Sequence, residues 1–175
     1  ALGGSLRAGS VANVRARQHL DEVVISIKGK KHWLWRAVGA NGEVLDILLQ
    51  PRRDTSAAKY FFRKLFRRWG QPRVLVTNKL GSYAGAKAEI APGIEHRQHK
   101  GLNSRGEASH WQTCRREKIM GRFKSPGQAQ RFLSAHDQIT NSFRPKRHRL
   151  SARSYRRVRT GAFNLCTDHA ADQTA

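Results

Sequence analysis

Three polar residues, far apart along the chain, carry the side chains most suited to metal-dependent chemistry. Asp21 precedes a β-branched stretch, Asn78 follows a short apolar run, and Glu107 lies near the start of a predicted helix. Carboxylate oxygens are the ligands that hard divalent cations prefer, whereas an asparagine offers a carbonyl oxygen without the negative charge. Isolated carboxylates are most often solvated surface charges. These residues therefore indicate metal chemistry only if the fold brings them together.

The elements that would position Asp21 begin with three antiparallel strands. Val23–Ile27 is mostly β-branched, His32–Val38 alternates with Trp33 and Trp35 on one face, and Glu43–Gln50 returns as a third extended segment. Asn41-Gly42 predicts a two-residue hairpin between the second and third strands, because both positions tolerate positive φ.

An amphipathic helix and a buried strand are predicted next. Asp54 or Thr55 can cap the helix, and Gly70 and Pro72 end it. Apolar residues recur at helical spacing in this segment, namely Ala58, Phe61, Phe62, Leu65, Phe66 and Trp69. The run Val74–Val76 is wholly apolar, which predicts a central strand covered on both faces.

The second half of the chain predicts further helices around one strand. Ser82–Ile90 predicts a short helix and Ile94–Gln98 a last strand. Another helix is expected over residues 107–120, and Ser125-Pro126 is a favourable start for the next one.

The resulting order of elements, β-β-β-α-β-α-β-α-α, is that of a ribonuclease H-like (integrase-type) α/β fold with a mixed sheet flanked by helices. In that fold the first strand, the fourth strand and a later helix converge, so Asp21, Asn78 and Glu107 would meet. The expected organisation is a flexible basic arm over residues 1–18, the ribonuclease H-like domain over 19–143, and a basic, partly disordered tail over 144–175. The segment after Arg159 is expected to be unstructured.

The charge of the chain indicates a polyanionic partner. Its 175 residues contain 34 Lys and Arg against 12 Asp and Glu, a formal net charge of +22. Nucleic acid is the commonest partner for such a charge, with a ribosomal-type protein or a membrane-surface binder as alternatives. Two cysteines give no disulfide framework, so a cytoplasmic protein in a reduced cytosol is expected. No apolar stretch approaches the roughly 18 residues of a membrane span.

Several motifs together resemble one family. The stretches are His19–Val23, Trp35–Val38, Gly42–Asp46, Val76–Leu80, Glu95–Asn103 and Phe123–Gly127. They closely resemble the catalytic domain of bacterial insertion-sequence transposases of the Asp-Asp-Glu type, in the family of insertion sequence 26. The resemblance covers roughly residues 18 to 155. Any one motif alone would be weak, but together they are specific.

The resemblance implies a DNA transposase that cleaves insertion-sequence ends and joins them to target DNA with two Mg²⁺ or Mn²⁺ ions. Asp21 matches the first carboxylate, Asn78 occupies the place of the second, and Glu107 matches the third. It further implies a homo-oligomer on DNA in the bacterial cytoplasm, associated with the nucleoid, with no membrane or small-molecule partner. The residues expected to contact DNA are Lys79, Lys100, Arg105, Arg115, Arg116, Lys118 and Arg122.

Three departures from the family pattern indicate a degenerate copy. Asn78 lacks the charge of the second aspartate, and Cys114 stands where the family usually has a basic residue. The family also has an N-terminal DNA-binding segment, which the first 20 residues are too short to supply. The chain is therefore interpreted as N-terminally truncated, with an impaired triad. The alternative function is a catalytically inactive DNA-binding remnant, and an RNA-binding protein of ribosomal type is a third interpretation.

Two other patterns have less specific interpretations. His96, His99, His110 and Cys114 have spacings that superficially suit zinc, although the resembled family needs no structural zinc. Trp33 and Trp35 could stack on bases, but their strand spacing favours packing within the sheet.

Overall fold

A computed structural model of the chain describes residues 16–78, 80–98, 114–115, 117–119, 121–143 and 150–172, with the side chains of 142 and 165–172 left out. The chain divides into two compact units, with the boundary between Ser134 and Ala135. The strands are β1 (Arg17–Ile27), β2 (Lys30–Gly39), β3 (Val44–Gln50), β4 (Val74–Thr77) and β5 (Glu95–Gln98). The helices are α1 (Thr55–Trp69), α2 (Gly81–Ile90), α3 (Pro126–Phe143) and α4 (Ala152–Asp172).

The first unit contains a five-stranded mixed sheet in the order β3-β2-β1-β4-β5. β1, β2 and β3 form an antiparallel meander. β4 lies parallel to β1 on the other side, and β5 lies parallel to β4. This is the mixed sheet that the order of elements predicts, with the first and fourth strands side by side.

β1 begins six residues before the predicted start at Val23. Arg17–Leu20 pair with β4, and the strand from Gln18 onward pairs with β2, so the backbone hydrogen bonds of two neighbours extend it. Asp21 consequently lies within the strand, one residue beyond the last β1–β4 pair. Local composition could not reveal this, because the extension depends on partners distant in sequence.

The predicted turn and helix ends are present. Gly42 adopts a φ of 81° in the β2–β3 hairpin, where its N–H donates to the Gly39 carbonyl at 2.9 Å. The Asp54 side chain caps α1 by accepting from the Ala57 N–H at 2.8 Å. Gly70 ends α1 with a φ of 76°, a conformation that glycine adopts without strain.

Each face of the sheet buries its own apolar cluster. On one face, the side chains of β1, β2 and β4 pack against α1 and α2, with Trp35, Phe61 and Tyr83 fully buried. On the other, Ile25 and Leu34 pack with Leu133 of α3. The predicted packing of the tryptophans is confirmed, since Trp35 lies in the first cluster and Trp33 packs against it.

The second unit is helical and corrects one prediction. The sequence predicts no structure after Arg159, but α4 continues through this segment to Asp172. The Phe143 and Phe163 rings meet edge to face at 4.8 Å between centroids, and the Arg159 guanidinium lies 5.8 Å from the Tyr155 ring. These aromatic contacts favour a helix that the weak apolar pattern of the segment does not indicate. Within the described ranges, no helix has the length and apolar character needed to cross a membrane.

Candidate active site

Asp21 and Asn78 lie side by side at the carboxyl end of the parallel β1–β4 pair. Leu20 and Thr77 are the last residues of that pairing, so the two polar residues follow on adjacent strands. Asp21 is buried, with 6% of its surface exposed. The Asn78 Nδ2 lies 3.3 Å from the Asp21 Oδ1. The first two members of the predicted triad therefore meet, as the order of elements indicates.

Glu22 joins the same group from the opposite face of β1. Its Oε1 accepts a hydrogen bond from the Asn78 Nδ2 at 3.0 Å and forms an ion pair with Arg53. The Glu22 side chain is only 1% exposed. A buried carboxylate is costly unless it is paired and hydrogen-bonded, and both partners are supplied here. Asn78 thus bridges two carboxylates.

The orientation of the Asn78 amide is fixed by the backbone. The Leu80 N–H donates to the Asn78 Oδ1 at 3.1 Å. A backbone N–H can only donate, so the atom facing it must be the amide oxygen. The amide NH₂ therefore faces Asp21 and Glu22, and the oxygen that could coordinate a cation is directed toward the backbone of Leu80.

Arg53 and Tyr83 complete the surroundings of Glu22. The Arg53 guanidinium lies 4.7 Å from the centroid of the Trp33 ring, which holds it beside the carboxylate. Tyr83 is fully buried. Burial, and then the negative charges of Glu22 and Asp21, raise the pKa of the Tyr83 hydroxyl well above 10.0. The hydroxyl therefore keeps its proton at neutral pH and remains a potential donor near Glu22.

Thr77 connects the end of β4 to β5. Its Oγ1 donates to the Asn78 carbonyl at 2.8 Å and lies 2.8 Å from the His96 Nε2. Since a hydroxyl has one proton to donate, the His96 Nε2–H must be the donor in the second contact. The Gln98 Nε2 lies 3.3 Å from the His96 Nδ1, which suits the same neutral tautomer.

His96 is expected to titrate below the ordinary histidine value. Burial, and then the positive charge of Lys87, lower its pKa from 6.5. The unfolded chain therefore binds this proton more readily than the folded chain, so the contribution of His96 to stability is present above pH 6.5 and is lost as the pH falls through the lowered pKa. An NMR titration of the imidazole Cε1–H should give a midpoint below that of the same residue in urea. An equal or higher midpoint in the folded protein would contradict the assigned surroundings.

The remaining predicted site residues divide into described and undescribed positions. Glu107, Lys79, Lys100, Arg105 and Arg116 lie outside the described residues, so their predicted roles stay predictions. Arg115 and Lys118 are helical and exposed, and Arg122 is exposed just beyond Gly121.

Glu117 is a half-buried carboxylate that interacts electrostatically with the exposed basic residues Lys118 and Arg122. Burial raises the pKa of its carboxyl, while the charges of Arg122 and Lys118 oppose that rise. Burial and the Glu117 charge likewise raise the pKa of the Cys114 thiol, with Lys118 and Arg36 opposing. Cys114 is therefore a protonated thiol at neutral pH, and Arg115, Lys118 and Arg122 are exposed cations of this region.

The buried Arg36 lies on β2, beside the strand that carries Asp21. Arg36 lies directly opposite Asp21 in the β1–β2 register and is only 2% exposed. Its positive charge opposes the rise in the pKa of the Cys114 thiol.

The zinc-type spacing gains no further support. His99 and His110 lie outside the described residues. Among the residues that are described, no three His, Cys, Asp or Glu side chains group together in a way that could hold a metal ion.

Sequence reasoning did not single out Glu22, Arg53 or Tyr83. Neighbouring strand residues point to opposite faces, so Glu22 would not be expected beside a partner of Asp21. The available signal was the adjacency of two acidic residues in Asp21-Glu22 at the predicted convergence point. Arg53 and Tyr83 carry no local signal, because only the packing of α1 and α2 brings them there.

Comparison with solved structures shows the fold. A chain from the cryo-EM structure of the simian T-cell lymphotropic virus intasome, in complex with PP2A regulatory subunit B56 gamma, aligns with a TM-score of 0.53 at 13% identity, over 73% of this chain and 48% of that one. The HTLV-2 integrase catalytic core domain, solved with magnesium in a trimeric form, aligns with a TM-score of 0.46 at 16% identity, over 54% and 65% of the two chains. The mixed sheet flanked by helices, together with the alignment to the intasome chain, shows a ribonuclease H-like fold.

Comparison with known sequences shows the family. The transposase for insertion sequence-like element IS431mec of Staphylococcus aureus strain Mu50 is 34% identical over 96 residues, covering 52% of this chain and 43% of the relative. The transposase for insertion sequence element IS257 in transposon Tn4003 of the same species matches equally. The chain thus spans less than half the length of these curated relatives. The family model DDE_Tnp_IS240, a DDE domain, matches residues 15–146. The chain therefore belongs to the DDE_Tnp_IS240 family, the DDE catalytic domain of insertion-sequence transposases.

Proposed function

We propose that the chain acts on DNA as the catalytic domain of an insertion-sequence transposase, and that Asn78 impairs cation-dependent cleavage and joining in this copy. The observation that carries the proposal is the side-by-side position of Asp21 and Asn78 at the end of the β1–β4 pair in a member of the DDE family. Assembly of several copies on paired DNA ends, at the bacterial nucleoid, belongs to the same proposal.

Mg²⁺ or Mn²⁺ would be the cofactor of an unimpaired site, with Asp21, the residue at position 78 and Glu107 as ligands. A bound pair of cations would activate the attacking oxygen and stabilise the leaving one. The described residues do not fit such an ion, because the Asn78 NH₂ faces both Asp21 and Glu22. Hydrogen-bond donors cannot coordinate a cation. The contribution that remains to the chain's own side chains is to bind and orient DNA.

Exposed basic residues supply the expected DNA contacts. Arg115, Lys118 and Arg122 are exposed near the segment in which the family places its third carboxylate. We propose the 115–122 cluster, defined as Arg115, Lys118 and Arg122, as the principal phosphate-binding group among the described residues, because these exposed cations lie close in sequence to the expected third carboxylate.

Neutralising the 115–122 cluster is expected to weaken DNA binding and reduce its salt dependence. Changing all three residues to glutamine should lower the slope of log K against log salt by about 0.9 for each phosphate that the protein no longer neutralises, or roughly 2 to 3 in total. Fluorescence anisotropy with a labelled duplex between low and moderate salt measures the slope.

A matched variant removes the same charge elsewhere. Arg63, Arg67 and Arg68 are exposed on α1, and their replacement by glutamine should change the slope less. Equal effects of the two triple variants would show that total charge, and not the 115–122 cluster, determines binding. Affinity that hardly changes with salt in the unaltered protein would contradict phosphate binding altogether.

A DNA-binding domain without cleavage activity is the second candidate function. The direction of the Asn78 amide favours it, because the group that faces the carboxylates is a donor. The two candidates are separated by incubating DNA with the unaltered chain, Asn78→Asp and Asn78→Asp/Glu107→Ala in Mn²⁺. Cutting that appears only in Asn78→Asp, and disappears with Glu107→Ala, supports transposase ancestry with an impaired site. Binding without cutting in all three supports the second candidate.

A further inference from the structure

We infer that the Asn78 amide and the Arg53 guanidinium together take the electrostatic place of a metal ion between Asp21 and Glu22, so that this domain is stable without a cation. The inference rests on the proposed function in one respect, which is that the pocket descends from a cation site. It concerns stability in the absence of DNA, so it can fail or hold independently of any strand cleavage.

The first step is the shared donor. One nitrogen, the Asn78 Nδ2, lies 3.3 Å from the Asp21 Oδ1 and 3.0 Å from the Glu22 Oε1. The two carboxylate oxygens therefore converge on a single electropositive group. A cation bridging two carboxylates would occupy a comparable position, and two carboxylates without such a group would repel each other.

The second step is the supply of charge. An amide contributes partial positive charge only, and Glu22 is too deeply buried to be screened by water. Arg53 provides the full charge by pairing with the same Glu22 oxygen that accepts from Asn78. The Trp33 ring lies beneath the guanidinium, and Asp54, the next residue, is fixed as the cap of α1. Arg53 is thus held in place by the fold.

The third step is the anchoring of the amide. The Leu80 N–H holds the Asn78 oxygen, and the Thr77 hydroxyl holds the Asn78 main-chain carbonyl. Rotating the amide to present its oxygen to a cation would break the bond to Leu80 and lose both bonds to carboxylates. The side chain is therefore committed to the donor arrangement.

Asn78→Asp tests this inference, because it changes the donor into a third carboxylate of nearly equal shape. The new side chain can still accept from the Leu80 N–H, but it places a negative charge against Asp21 and Glu22. In EDTA we expect its melting temperature to fall by about 5–10 °C. Millimolar Mn²⁺ or Mg²⁺ should restore most of that loss in Asn78→Asp, because binding to the folded state stabilises it, and should leave the unaltered protein within about 1 °C.

Three further variants separate the cause from general effects. Asn41→Asp makes the same chemical change in the β2–β3 turn, where Asp-Gly remains favourable, and should show neither the loss nor the recovery. Asn78→Ala removes the donor and leaves the two carboxylates without it, so it should melt lower than the unaltered protein and regain part of the loss with cation. Arg53→Gln should melt lower and gain little from cation, because the Asn78 NH₂ still faces both carboxylates.

The measurements are thermal unfolding by circular dichroism in EDTA and with each cation, for the full 175-residue chain. If Asn78→Asp is unfolded in EDTA and folds on adding Mn²⁺, the inference is supported. Equal stability of Asn78→Asp and the unaltered protein in EDTA would overturn it, as would equal stabilisation of both by cation. An Asn78→Asp protein that is stabilised by cation yet never cuts DNA would count against the proposed function and leave this inference standing.

Discussion

Asn78→Asp is expected to raise the rate of Mn²⁺-dependent nicking of supercoiled plasmid DNA by about 10²- to 10³-fold over the unaltered chain. That gain corresponds to roughly 3–4 kcal/mol of transition-state stabilisation. It is large because the substitution both adds a negative ligand and removes a donor that now faces Asp21. A carbonyl oxygen alone would be a weaker ligand for a hard cation, and here that oxygen is bonded to Leu80.

Initial rates of conversion from supercoiled to nicked plasmid, at several Mn²⁺ concentrations, measure the effect. Asn41→Asp is the control for an added negative charge and should match the unaltered chain. Asp21→Ala in the Asn78→Asp background should abolish the gain, since the first ligand is then absent. If Asn78→Asp and the unaltered chain nick the plasmid at the same rate, then the residue at position 78 does not limit the chemistry of this copy.

The fold was largely predictable because its local signals agree with each other. The Asn41-Gly42 hairpin, the apolar stripe of α1 and the apolar run of β4 all correspond to elements at or near the expected residues. The extension of β1 to Arg17 was not predictable, because pairing with β4 produces it. Nor was α4 predictable beyond Arg159, where the aromatic contact between Phe143 and Phe163 joins residues 20 positions apart in sequence.

The meeting of Asp21 and Asn78 was predictable, whereas the interactions of their side chains were not. The meeting of Asp21 and Asn78 follows from topology, since the carboxyl ends of adjacent parallel strands lie at one edge. The direction of the Asn78 amide depends on the Leu80 N–H, a backbone contact that no motif encodes. The recruitment of Glu22 depends on Arg53 from the start of α1. Sequence therefore indicated that Asp21 and Asn78 would meet, and the packing shows which groups the Asn78 side chain contacts.

Trp35→Ala should produce the largest loss of stability, about 3–5 kcal/mol in the free energy of unfolding. Trp35 is fully buried, and its ring meets Tyr83 edge to face at 5.3 Å and lies 6.4 Å from Phe61. It also lies opposite Glu22 in the β1–β2 register. The substitution opens a cavity between the sheet and both α1 and α2, and it removes the packing beside the buried carboxylate.

Urea unfolding followed by circular dichroism measures this loss without depending on tryptophan emission. Tyr60→Ala is the matched control, because it also removes an aromatic ring from the first unit but from a side chain that is 57% exposed, and it should cost within about 0.5 kcal/mol. A Trp35→Ala protein with nearly unaltered stability would mean that the sheet and α1 are not packed as described. Domains of this size have a free energy of unfolding of only about 5–15 kcal/mol. After the expected loss, little of that free energy would remain to keep Glu22 buried. The burial of Glu22 and the aromatic core around Trp35 therefore depend on the same packing.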